Sequence, residues 1–324
     1  MNMTSRFAAA LLALMAMTAL VLTPVRAADT VTAATAGNPN PISWPILIAA
    51  KEGMFAAENL TVELVFVASS AQAVQQLSAG SINVGFSLGL VDPIRAVNQG
   101  APVALLRLEG QSSPFVLVGK PTIKGIADLK GKTIMIGGAK DITRFYLERM
   151  VASSGLKSND YDLVFAGATP ARYAAIKSGA VDATMLFPPF NFFALADGAV
   201  ELGLVVDHAP NLPFSGTAVN KNWAAANPTV VQRYNRAISR AIEWFNTDAN
   251  KDKAVAILVE AMKGKPEDIA KTYDFWRRIK FYETSGRMSR AKLTEITNML
   301  KSEGDIPANF DISRLVLPGT PITD

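Results

Sequence analysis

The chain has 324 residues, of which 49% are hydrophobic and 19% charged, and a formal charge of +4 is too weak over that length to imply nucleic acid as a partner. It holds no cysteine and a single histidine. That excludes a disulfide framework, a thiol nucleophile, a lipid-bearing cysteine and a Cys/His zinc centre, and nothing in the pattern calls for a metal or a cofactor.

In chain order, Arg6 supplies a positive start, residues 7–22 form an apolar run broken only by Thr18, and Val25-Arg26-Ala27 offers a small-x-small cleavage site. Residues 1–27 are therefore expected to be a secretory signal peptide, too short to span a bilayer, with the mature chain starting at Ala28. The roughly 300 residues that remain suffice for two lobes. From Thr30 to about Asp207 short apolar strands alternate with helix-like segments, the pattern of a mostly parallel α/β sheet. A strand before Gly37-Asn38 leads to a helix expected over 45–59, and a strand over 133–136 leads through Gly137-Gly138 to a helix over 141–154.

An internal echo stands out. Residues 63–84 align without gaps on residues 162–183, with Leu64, Val65, Phe66 and Gly80 matching Leu163, Val164, Phe165 and Gly179. Each copy reads as a strand, a small-residue loop, a helix closed by glycine and a second strand, which points to two similar α/β lobes. The chain is expected to cross between lobes near 118–120 and to return near 212–215, with the stretches starting at Phe115 and Phe214 as paired hinge strands. One lobe then comprises 28–118 plus 212–324, and the other 119–211. Beyond the second lobe, Asn227-Pro228 opens a long helix whose core-facing stripe is Val230, Val231, Tyr234, Ile238, Ile242 and Phe245, and three further helices run to about Glu303.

Four segments together resemble a known family. They are the run Ile48-Ala-Ala-Lys-Glu-Gly-Met-Phe-Ala-Ala-Glu-Asn-Leu, Leu77-Ser-Ala-Gly-Ser-Ile-Asn-Val-Gly, Ile126-Ala-Asp-Leu-Lys-Gly-Lys-Thr-Ile, and Ile176-Lys-Ser-Gly-Ala-Val-Asp-Ala. They are similar to the type II periplasmic substrate-binding proteins of ABC importers for sulfonates, taurine, nitrate and thiamine-pyrimidine precursors. Where that family has Gly-Leu after its first helix this chain has Asn59-Leu60, and Asn83 stands where an aspartate is usual. The resemblance implies a two-lobed α/β fold with a hinge of two crossover strands. It also implies a monomer that closes on a small molecule in the periplasm and docks on membrane-embedded permease subunits.

In such lobes ligands sit beyond the carboxyl ends of strands, at helix N-termini with free N–H groups. The junctions legible here are Ser43-Trp44, Ser69-Ser70 and Gly89 in the first lobe, and Gly138-Ala139-Lys140-Asp141 with Thr169 in the second. Gln111 and Ser112 end a strand at the lobe crossing. Phe187, Phe190 and Asn191 stand at the cleft edge of the second lobe, with Trp44 expected to face them and sandwich a flat ligand body. Lys140 is the favoured cation, while Arg144 and Arg172, within helices, read as solvated surface. This set suits a small organic anion, a sulfonate or carboxylate with or without an aromatic body. A neutral pyrimidine or thiamine precursor is the alternative.

Catalysis would need a nucleophile with its base, paired carboxylates or a metal cluster, and none can be read. His208 sits in a segment that reads as an exposed loop. Fungal enzymes of the same fold that build the thiamine pyrimidine carry a cysteine-rich motif absent here, so the chain is expected to bind and not to catalyse.

Overall fold

The computed structural model describes residues 27–323. The leader expected over 1–27 lies outside the described residues except for Ala27. Among them no helix is long and apolar enough to cross a membrane. Two five-stranded sheets form the frame. The first has the order β2-β1-β3-β10-β4, built from β1 (Asp29–Ala36), β2 (Leu60–Val67), β3 (Val84–Gly89), β4 (Val103–Gly110) and β10 (Ser215–Asn220). The second has the order β7-β6-β8-β5-β9, from β5 (Val116–Gly119), β6 (Thr133–Ile136), β7 (Asp162–Phe165), β8 (Ala183–Leu186) and β9 (Val200–Leu204).

The sequence echo reappears as a place-for-place match between the sheets. In each, the first three places are parallel strands joined through helices, α3 (Ser70–Ala79) between β2 and β3 and α6 (Thr169–Lys177) between β7 and β8. Gly80 and Gly179 hold φ of 76° and 77° just past these helices, a left-handed conformation that disfavours any side chain with a Cβ. The fourth place is taken by the strand that follows a lobe crossing, and it runs antiparallel to both neighbours: β5 between β8 and β9, β10 between β3 and β4.

This pairing corrects the expected hinge. β5 and β10 do not pair with one another, and β5, placed from the sequence with the first lobe as far as Val118, is hydrogen-bonded into the second sheet. Each crossing strand fills the vacant fourth place of the sheet it enters, which satisfies its backbone groups on both edges. The crossings themselves are the short stretches 111–115 and 209–214, side by side where Phe214 N donates to Gly110 O at 2.8 Å.

The helix expected over 45–59 divides at a turn into α1 (Trp44–Lys51) and α2 (Met54–Ala57). α4 (Val91–Asn98) follows β3, and α5 (Ile142–Ala152) follows β6 with Asp141 as its N-cap, accepting from Thr143 N at 2.9 Å. α7 (Phe190–Ala196) and α8 (Val205–His208) complete the second lobe, so His208 ends a single helical turn and is half-buried instead of lying in an exposed loop. α9 (Lys221–Ala226) precedes α10 (Pro228–Asn246), whose expected apolar stripe is buried in full. α11 (Lys251–Met262) and α12 (Pro266–Arg278) pack beside α10 and α1, and α13 (Arg290–Ser302) lies beside α4 and reaches α5 of the other lobe.

Candidate functional site

Between the lobes lies a cavity of about 630 Å³, in the range of small-molecule sites. Its walls are the loops beyond the carboxyl ends of β1, β2, β3, β6, β7 and β8, together with both crossings. Each crossing delivers a phenylalanine, Phe115 and Phe214, with ring centroids 5.9 Å apart, and Phe187 meets Phe115 edge-on at 5.4 Å. The three rings form an apolar floor at the hinge. Hydroxyls of Thr35, Ser70, Ser87 and Thr169 stand among the lining residues.

Arg172 is the central charge. It is 2% exposed, lines the cavity, and is fixed by carbonyls and one hydroxyl: Nε donates to Met185 O at 2.8 Å, Nη1 to Ala166 O at 2.8 Å and Gly167 O at 2.9 Å, and Nη2 to Thr169 Oγ1 at 2.8 Å. A guanidinium has five N–H donors, so one Nη2 proton is left without a protein acceptor. Burial brings its pKa down to about 10, opposed by the Asp141 charge, and it stays a cation at neutral pH. No carboxylate forms an ion pair with it among the described residues. A buried cation lacking a counter-ion is costly, and an anionic ligand would relieve that cost.

The other charged lining residues are Asp92, Arg95, Lys140 and Asp141. Burial pushes the Asp92 carboxyl up, Arg95 opposing and Asp141 reinforcing. Arg95 and Lys140 are already engaged by Asp305: Lys140 Nζ lies 3.1 Å from Oδ1, Arg95 bonds Oδ2, and Arg95 Nη2 also donates to Lys140 O at 3.1 Å.

Of the residues named from the sequence, the cavity brings together Ser70, Gly89, Lys140, Asp141, Thr169, Phe187 and Phe190. Ser70 Oγ accepts from Gly89 N at 3.0 Å, tying two of them. Ser69 instead caps α3, accepting from Gln72 N at 3.2 Å while Gln72 Oε1 accepts from Ala68 N. Gly138 and Ala139 are outside the lining. Gln111 and Ser112 bind the crossing down, through Leu108 O at 2.9 Å and Ile279 O at 3.0 Å.

The largest correction is Trp44. It is fully buried inside the first lobe with its indole N–H on Ala254 O at 2.7 Å and its ring against Phe245 and Tyr273, and it does not face Phe190. Ser43 is buried beside it without a hydrogen bond for its hydroxyl, and Asn191 is likewise buried with no partner for its amide. Arg172 reverses the expectation of a solvated surface residue. Arg144 stays outside the cavity in ion pairs with Glu148 and Glu303. Asp92, Arg95 and Ser87 are not legible as site residues in the sequence, and Phe115 and Phe214 are read there only as the starts of hinge strands. Among the described residues no group of three or more His, Cys, Asp or Glu side chains is placed to hold a metal.

Residues 40–251 match the family described as NMT1/THI5 like. The riboflavin-binding protein RibY of Chloroflexus aurantiacus is 27% identical over 230 residues, 69% of this chain and 64% of that protein. A 4-amino-5-hydroxymethyl-2-methylpyrimidine phosphate synthase of Candida albicans is 23% identical over 222 residues, 63% of this chain and 64% of the enzyme. The match thus spans just under two thirds of the length of either curated relative. Among solved structures, the periplasmic aliphatic sulphonate binding protein SsuA of Escherichia coli superposes with a TM-score of 0.74 at 19% identity, over 90% of this chain and 98% of its own. The chain belongs to the NMT1/THI5-like family and has the two-lobed α/β fold of the periplasmic binding proteins.

Proposed function

We propose that the protein is the periplasmic solute-binding component of an ABC importer, a monomer that captures a small organic anion between its lobes and delivers it to permease subunits. The observation that carries this reading is Arg172, a buried cation with an unused N–H in an interlobe cavity and no ion-pair partner among the described residues. Hydroxyls of Ser70, Ser87 and Thr169 offer further hydrogen bonds, and the floor of Phe115, Phe187 and Phe214 suits an apolar or aromatic body on a sulfonate or carboxylate. Lining from both lobes gives the ligand differential affinity for the closed state, the requirement for capture and release.

A second reading, a neutral heterocycle such as a pyrimidine or a flavin, is favoured by the same aromatic floor and by what the relatives are named for. An enzymatic role is the weaker one, since the chain offers one histidine and no cysteine.

Thermal unfolding of residues 28–324 with a panel of sulfonates, carboxylates, pyrimidines and riboflavin distinguishes them. A ligand at 1,000 times its Kd adds about 4 kcal/mol, a rise of several degrees. Sulfonates or carboxylates are expected to raise the midpoint, and Arg172→Lys, which keeps the charge but loses the fork, is expected to weaken their binding at least about tenfold. A shift confined to pyrimidines or riboflavin would replace the anion by the neutral ligand.

A further inference from the structure

Resting on that anion-binding reading, we infer that Asp305 sets the charge the cleft accepts, selecting singly charged anions over doubly charged ones of similar shape. Asp305 follows α13 and its side chain is only 8% exposed. It takes Arg95 from its own lobe and Lys140 from the other, so two of the three cations that line the cavity point their charge at it and not at the cavity centre. Arg95, Lys140 and Arg172 face Asp92 and Asp141 in the lining, and Asp305 as the third carboxylate brings the formal sum to zero. A monoanion then leaves the loaded site at minus one and a dianion at minus two. Replacing Asp305 by asparagine keeps the shape but shifts each sum up by one, which puts a dianion where the monoanion stands in the native protein.

The same carboxylate also clasps the lobes, which a simple structural role would share. Two more ion pairs cross the boundary farther along α5 and α13, Arg144 with Glu303 and Arg149 with Glu295 at 2.8 Å, and neither arginine lines the cavity. They supply the control. Loss of clasping weakens every ligand alike, whereas loss of charge selection changes the ratio between ligands.

The test is calorimetric titration of matched probes, benzoate against terephthalate and propanesulfonate against 3-sulfopropionate, into the native protein, Asp305→Asn and Glu303→Gln. The native protein should prefer the monoanion of a pair. Asp305→Asn should move that ratio toward the dianion by at least about tenfold, as expected for a unit charge acting over roughly 10 Å of protein. Glu303→Gln should lower both affinities together and leave the ratio unchanged. If a pair binds and Asp305→Asn leaves its ratio as it was, the charge-setting role falls while anion capture stands. If the native protein binds none of the four probes, both fall.

Discussion

Trp44 and Arg172 exchange the roles that their chemistry suggests. A tryptophan beside a helix start looks like a ligand platform, but its indole N–H found a carbonyl within the lobe, Ala254 O, and its ring found Phe245 and Tyr273, which makes it a core residue. Trp44→Ala should cost about 3–5 kcal/mol in denaturant unfolding without a selective loss of ligand affinity. A binding defect at full stability would contradict that assignment. Arg172 had a legible signal that was overlooked: the echo places it opposite Ala73, which with Leu77 lies on the buried face of α3, just as Arg172 and Ile176 do on α6. An arginine at a core-facing register position is held there by buried acceptors, and here these are three carbonyls and Thr169.

Glu109 carries a prediction in pH. It is fully buried on β4, and burial pushes its carboxyl up to about 7, opposed by Arg107 with Nε at 3.6 Å and by the hydroxyl of Thr217. A carboxyl whose folded pKa is raised binds more protons folded than unfolded between about 4.5 and 7, so the stability it contributes is lost as pH rises through that window. Relative to Glu109→Gln, the native protein should lose on the order of 3 kcal/mol between pH 5 and pH 8 in denaturant unfolding. A constant difference across that range would show the carboxylate to be ionised throughout.

At the level of elements, the strand-helix-strand units were legible because their signals are local: apolar runs, a small-residue loop before each helix, a glycine after it. Gly80→Ala and Gly179→Ala should each destabilise by about 1–2 kcal/mol, since both need a left-handed φ. At Gly80 a Cβ would meet nothing within 4 Å, so the whole cost there is conformational. No loss in chemical denaturation would mean that the turn had shifted. What the elements pair with was not legible. β5 and β10 look alike as short apolar strands, but the partner of each lies far along the chain and is settled by which sheet has an unfilled place. The charged strip joining α5 to α13 was hidden for the same reason, because Lys140 and Asp305 are 165 residues apart.

For the whole molecule, the α/β class followed from the alternation of strands and helices and the presence of two lobes from the repeat, and about half of the expected site residues line one cavity because the loops beyond parallel strands converge there. The aromatic floor was missed because Phe115 and Phe214 meet only once both crossings are laid side by side. On the proposed function, this cavity closes around an organic anion held by Arg172. With no native cysteine, one label can be placed on each lobe at equivalent exposed positions of α3 and α6, as Gln75→Cys and Ala174→Cys, and the distance between them followed by energy transfer. Adding the anion that gives the largest thermal shift should shorten that distance by several ångströms, and the same labels on Arg172→Lys should need at least about ten times more ligand to respond. An unchanged distance at saturating ligand would mean that the lobes do not close on the anion, and an equal response from the Arg172 variant would mean that Arg172 does not hold it.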